Sequence, residues 1–163
     1  MNNFSKNGFS IIDILTKEEH QIISKTIKKI INEKLNIENV NGVVLNDLKD
    51  YHNLILTEDV HKKVVNASTR SIDLNNFSAS IKNNNSIKKI MDESWGHHEF
   101  RLIWVGNLKN DEVKENYASF RLARPNLSND VGGIHLDKHV GGVKNLGDEN
   151  LLTLWIPIVG FNE

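Results

Sequence analysis

The sequence predicts an α+β fold in which N-terminal helices are followed by antiparallel strands. A capping motif at Thr16 precedes a long stretch with isoleucines at helical spacing. Apolar and polar residues alternate over residues 98–104, and residues 151–159 form a strongly apolar run. Such an order is typical of α+β domains whose strands form a sandwich or a jelly roll. We expect a single domain that is mainly helical over 1–96 and contains the first strands over 97–163.

Composition excludes several classes of protein. Hydrophobic residues make up 39% of the 163 residues and charged residues 25%, which is enough to build a core. The net charge of −1 gives no electrostatic reason to expect binding to nucleic acid or to an anionic membrane. Cysteine is absent, which excludes disulfides, thiolate metal ligands and a cysteine nucleophile. Because no membrane span or secretory signal is recognisable, we expect a cytoplasmic protein.

The helical prediction is clearest directly after Thr16. Thr16 and Glu19 have the spacing of a capping box, and the helix should extend to about Leu35. Before it, residues 8–15 are rich in β-branched side chains and predict a short strand. The helix face that we expect to be buried carries four isoleucines: Ile23, Ile27, Ile30 and Ile31.

The middle of the chain predicts shorter helices. Apolar spacing indicates helices over 45–55, 58–70 and 86–94. Asn83, Asn84 and Asn85 with Ser86 are typical of a loop that leads into a helix N-cap.

The C-terminal part predicts four strands and leaves the sheet open. The run at 151–159 is apolar throughout, so we expect it to be covered on both faces. Four strands close a barrel poorly, so a second copy of the chain or a segment after Glu163 should cover the open sheet edge. The strands are expected at 98–104, 116–124, 131–137 and 151–159, with a polar connection over 107–115 and a loop over 141–150.

The sharpest chemical motif is His135-Leu136-Asp137. On a strand, residues two apart point to the same face, about 6.6 Å from each other. An imidazole and a carboxylate so placed can share one metal ion, and a distant third histidine would complete the facial triad of Fe(II) oxygenases. The motif alone is short, and a histidine paired with a nearby aspartate at the end of a strand is the alternative.

The context of this motif resembles a known family. The segment FRLARPNLSNDVGGIHLDKHVGG (residues 120–142), followed by LLTLWIPIVGFNE (151–163), resembles the phytanoyl-CoA dioxygenase family of Fe(II)/2-oxoglutarate-dependent oxygenases. The N-terminal segment NGFSIIDILTKEEHQIISKTI (7–27) also resembles the start of that family. The resemblance implies N-terminal helices packed on an antiparallel double-stranded β-helix, a cupin-like jelly roll, which would be incomplete at the C-terminus here.

The resemblance carries specific expectations for five residues. His135 and Asp137 match the family's first two iron ligands. Trp155 matches a position that lies beside the cosubstrate 2-oxoglutarate in some members, with core packing as the alternative. Arg121 and Arg124 lie on the strand before the motif, in a region that lines the pocket. Strand alternation places these arginines on opposite faces, so at most one points inward. The alternative for both is a solvated or salt-bridged charge at the sheet edge.

The chain departs from the family pattern at one important point. The family's third ligand, a histidine, and the arginine that binds the far carboxylate of 2-oxoglutarate would both follow Glu163. His139 shares the strand face of His135 but lies about 13 Å from it, whereas a histidine nitrogen must approach a metal to about 2.1 Å. We therefore expect the 163-residue chain alone to bind Fe(II) weakly and to be inactive.

Three functional hypotheses follow from the sequence. The favoured one is a dioxygenase that uses Fe(II) and 2-oxoglutarate to hydroxylate a small organic substrate, whose identity the sequence does not specify. The second is a truncated or degenerate relative without catalytic activity. The third is a metal-binding β-sandwich protein that is not an oxygenase.

Overall fold

A computed structural model describes residues 7–40, 42–65, 71–96, 99–105, 113–124 and 153–159. Helices dominate the chain up to Gly96, and short strands follow, apart from one strand that precedes the third helix. In chain order the elements are α1 (Lys17–Ile37), a 3-10 helix (Leu48–Asn53), α2 (Glu58–Val64), β1 (Ser71–Asp73), α3 (Ser78–Asn83), α4 (Asn85–Trp95), β2 (Ile103–Val105), β3 (Val113–Glu115) and β4 (Tyr117–Ser119).

Helix α1 confirms the prediction made from the capping box. The Thr16 hydroxyl accepts a hydrogen bond from the Glu19 N–H at 3.2 Å, and the Thr16 N–H donates to the Glu19 carboxylate at 2.8 Å. These bonds satisfy two donors that the start of a helix otherwise leaves unpaired. The helix ends at Ile37, slightly beyond the expected Leu35. Of the predicted isoleucines, three are buried and Ile30 is half-buried, so this face packs on the core.

The prediction of a strand over residues 8–15 was wrong. These residues form no strand, although Ile12, Ile14 and Leu15 pack against the core while Ile11 faces solvent. The carbonyl of Asp13 accepts a hydrogen bond from the side-chain amide of Asn84 at 2.8 Å. The partner of this backbone carbonyl is therefore the Asn84 side chain and not the backbone of a neighbouring strand. Apolar residues alone did not distinguish this packing from a strand.

The middle helices differ from the prediction in length and number. The expected helix over 45–55 is a short 3-10 helix, and α2 ends at Val64 inside the expected 58–70. The N-cap expected within residues 83–86 lies at Asn84, whose side-chain oxygen accepts from the backbone N–H groups of Ser86 and Ile87. The expected loop is reduced to this one residue between α3 and α4. Helix α3 and strand β1 were not predicted.

Strands β3 and β4 are two halves of one stretch of chain that bends at Asn116. The backbone of Asn116 has a φ of +57°, a left-handed conformation that asparagine tolerates better than most residues. Its N–H donates to the carbonyl of Leu102 beside β2, and its carbonyl accepts from the N–H of Leu74 beside β1. β3 pairs antiparallel with β2 and β4 pairs antiparallel with β1. The bend thus transfers the chain from one strand partner to the other.

The predicted strands agree with the structure only in part. The predicted strand at 98–104 overlaps β2 at its end, and the predicted strand at 116–124 contains β4. β3 lies in the segment expected to be a polar connection. Residues 153–159 form no strand, and their burial alternates, so the expectation of cover on both faces was wrong. The predicted strand at 131–137 lies outside the described residues, and the double-stranded β-helix stays a prediction.

The hydrophobic core is built mainly from the helical part. Among the described residues that are buried and hydrophobic, all except Phe120 precede Gly96. Phe120 belongs to the same cluster as Ile31 and Leu35 of α1, so the end of the β part is packed on the helices. None of the helices in the described ranges combines the length and the apolar character needed to cross a bilayer.

Candidate cosubstrate site and metal ligands

The structure brings together two residues that the sequence assigned to the cosubstrate. The guanidinium carbon of Arg121 lies 5.3 Å from the centre of the Trp155 indole ring. This distance is within the range of a cation–π contact. Both side chains face solvent, and Trp155 is 66% exposed. Trp155 is therefore not a core residue in this structure, and the pair offers a planar cation and an aromatic ring to a ligand.

Inward-pointing neighbours orient this pair. Burial alternates along both segments, so that Phe120 points inward before Arg121, and Leu154 points inward before Trp155. The segment that carries Trp155 also lies against α1, where the His20 ring nitrogen is 3.4 Å from the carbonyl oxygen of Pro157. The hydrophobic residues thus determine which side chains of these segments remain available to a ligand.

Arg124 has different surroundings from Arg121. Its guanidinium lies 2.9 Å from the carboxylate of Glu58 in the first turn of α2, and its side chain is only 12% exposed. These surroundings correspond to the salt-bridged alternative that the sequence left open for the arginines. Of the two arginines, Arg121 is therefore the one whose side chain is exposed to a ligand in solution.

The predicted metal ligands lie outside the described residues. This applies to His135 and Asp137, and also to His139. Within the ranges that the structure describes, no group of three or more histidine, aspartate or glutamate side chains could hold a metal ion. A histidine and an aspartate supply an imidazole nitrogen and a carboxylate oxygen, a donor set that suits Fe(II). The iron site stays a prediction.

A buried polar pair lies in the helical part. Tyr51 of the 3-10 helix and His61 of α2 are both buried, and the Tyr51 hydroxyl lies 2.8 Å from His61 Nδ1. Their ring centres are 5.8 Å apart. Because an unpaired polar group is costly in a core, this contact allows both side chains to be buried and links the two helices. No motif in the sequence indicated this pairing.

The pKa of Glu19 is lowered by hydrogen bonds that also stabilise the fold. Its carboxylate accepts a hydrogen bond from the Ser80 hydroxyl at 2.6 Å and another from the Thr16 N–H. These hydrogen bonds, with that of Ser80 first, lower the pKa of Glu19 because they stabilise the charged form. The side chain thus both caps α1 and connects it to α3.

A cavity of about 460 Å³ lies elsewhere on the molecule. Of the described residues that the sequence assigned to a site, Arg121, Arg124 and Trp155 do not line it. Lys88 at this cavity donates a hydrogen bond to the side chain of Asn83 at 3.3 Å. The lining residues are Lys82, Asn83, Lys88, Glu99 and Phe100.

Comparisons of the chain with protein-family models, curated proteins and solved structures found no match. The resemblance to the phytanoyl-CoA dioxygenase family therefore depends on the sequence segments quoted above.

Proposed function

We propose that this chain is part of an Fe(II)/2-oxoglutarate-dependent oxygenase of the phytanoyl-CoA dioxygenase type, which hydroxylates a small organic substrate. The observation that carries the proposal is the His135-x-Asp137 motif between the segments that contain Arg121 and Trp155. His135 and Asp137 would be two of the three protein ligands that hold the iron in such oxygenases. The bound iron would supply the oxidative chemistry, and this chain would supply ligands and a binding surface.

The contact between Arg121 and Trp155 supports this proposal. Residues 121 and 155 are distant in sequence, and the predicted ligands His135 and Asp137 come between them. Arginine binds carboxylates through two parallel hydrogen bonds, and stacking on an indole restricts the plane of the guanidinium. We propose that Arg121 contacts a carboxylate of 2-oxoglutarate while Trp155 packs beside it. Arg124 would act only indirectly, through its ion pair with Glu58.

The first test measures Fe(II) binding by calorimetry without oxygen. We expect weak binding by the 163-residue chain, and a further loss of about tenfold or more in His135→Ala and in Asp137→Ala. His139→Ala is the matched control, because it removes a histidine of the same segment and should leave the affinity unchanged. Unchanged affinity in both ligand variants would refute the metal assignment. A loss in His139→Ala would instead indicate that this residue is a ligand.

The second test measures binding of 2-oxoglutarate to the Fe(II)-loaded protein, without oxygen. We expect Arg121→Ala and Trp155→Phe to weaken binding several-fold. Arg101→Ala is the control, because Arg101 is also exposed and its guanidinium pairs with Glu115 at 3.5 Å. Equal effects of Arg121→Ala and Arg101→Ala would mean that Arg121 contributes only general positive charge. Fe(II) binding without any 2-oxoglutarate binding would favour the metal-binding β-sandwich that is not an oxygenase.

The third test distinguishes the oxygenase from a non-catalytic relative. Succinate formation from 2-oxoglutarate should be absent with the 163-residue chain, because two protein ligands hold the ion poorly. The reading frame after Glu163 is decisive: a downstream histidine and arginine in a hydrophobic strand would support the oxygenase, and their addition should allow succinate formation. A stop codon directly after Glu163 would favour the non-catalytic relative. Rapid succinate formation by the short chain would show that the third ligand was misassigned.

A further inference from the structure

We draw no further inference here: the strongest candidate, the outward face of residues 153–159 with the exposed side chains of Trp155 and Val159, carries nothing because nothing in the described part of the structure shows what covers it.

Discussion

The helical part before Gly96 and the β part after it differ in what their residues do. The helical part contains nearly all of the described buried hydrophobic residues, and its helices α1 and α4 begin at side-chain caps. In the described residues of the β part each strand has three residues, and an arginine and a tryptophan face solvent. Every residue that the sequence assigned to a metal or cosubstrate lies in this second part. The chain thus separates the residues that stabilise the fold from those proposed to carry chemistry, as is common when functional segments lie on a rigid scaffold.

Several contacts in the described ranges join the two parts, among them the antiparallel pairing of β1 with β4. Phe120 enters the core, and the Lys34 ammonium of α1 lies 6.0 Å from the centre of its ring. Arg124, which lies on the same segment as Phe120, links the parts through its ion pair with Glu58 of α2. Substitutions at these contacts should therefore test the connection between the two parts, and substitutions elsewhere should test the packing within one part.

The largest effect is expected for Phe120→Ala. Loss of the buried ring should reduce the free energy of unfolding by about 3–5 kcal/mol, because the core is left with a cavity where the β part meets the helices. Phe9→Ala is the matched control: Phe9 is 62% exposed, and its removal should change stability by less than about 0.5 kcal/mol. Urea unfolding followed by circular dichroism measures both. Similar small effects would mean that the β part is not anchored through Phe120.

Ile31→Ala tests the packing of helix α1. Ile31 is fully buried on α1, so we expect a loss of about 2–5 kcal/mol in the free energy of unfolding. Ile37→Ala removes the same side chain from the end of the same helix, where it is 72% exposed, and should be nearly neutral. Thermal unfolding of the two variants gives the difference. If Ile37→Ala were as destabilising as Ile31→Ala, the assigned orientation of α1 would be wrong.

Asn116 tests the β part. Asn116→Ala should reduce the free energy of unfolding by about 1–2 kcal/mol. Alanine is disfavoured at a positive φ, and the hydrogen bond from the side-chain amide of Asn116 to the side chain of Asn75 is lost. Asn116→Gly loses the same bond but tolerates the backbone conformation, so it should be more stable than Asn116→Ala by about 1 kcal/mol. The free energies come from urea unfolding. The opposite order would contradict the bend at this position.

The smallest effect concerns Glu19 and pH. Its pKa in the folded protein is lowered from the ordinary 4.5, so its contribution is present above that value and is lost as the pH falls through the lowered pKa. The melting temperature of the unchanged protein should therefore fall more on acidification below 4.5 than that of Glu19→Gln. Ser80→Ala, which keeps Glu19 but removes the hydroxyl that donates to it, should lose part of this pH dependence. Identical profiles for all three proteins would contradict the proposed role of the Ser80 hydrogen bond.

The elements predicted correctly are those whose signals are local. The start of α1 depends on residues three apart, and the start of α4 depends on Asn84 and its next neighbours, so the sequence alone contains this information. Strand β1 was not predicted, because a three-residue strand is stabilised by partners far along the chain. The bend at Asn116 was not predicted because its backbone partners, Leu102 and Leu74, lie far from it along the chain.

The same distinction applies to the candidate site. Arg121, Arg124 and Trp155 were selected by resemblance and by strand alternation, which describe one segment at a time. The contact of Arg121 with Trp155 and the ion pair of Arg124 with Glu58 join positions that no periodicity relates. The two arginines could therefore be predicted to differ, but their partners could not.

The bend at Asn116 also has a consequence for the order of folding. The pairing of β2 with β3 joins nearby residues such as Ile103 and Glu115, whereas the pairing of β1 with β4 joins Ser71 to Ser119. Closing a short loop costs less chain entropy than closing a long one, so the β2–β3 hairpin should form first. The backbone N–H of Asn116 bonds to Leu102 beside β2, and its carbonyl bonds to Leu74 beside β1. The early hairpin can therefore fix the register in which β1 later pairs with β4.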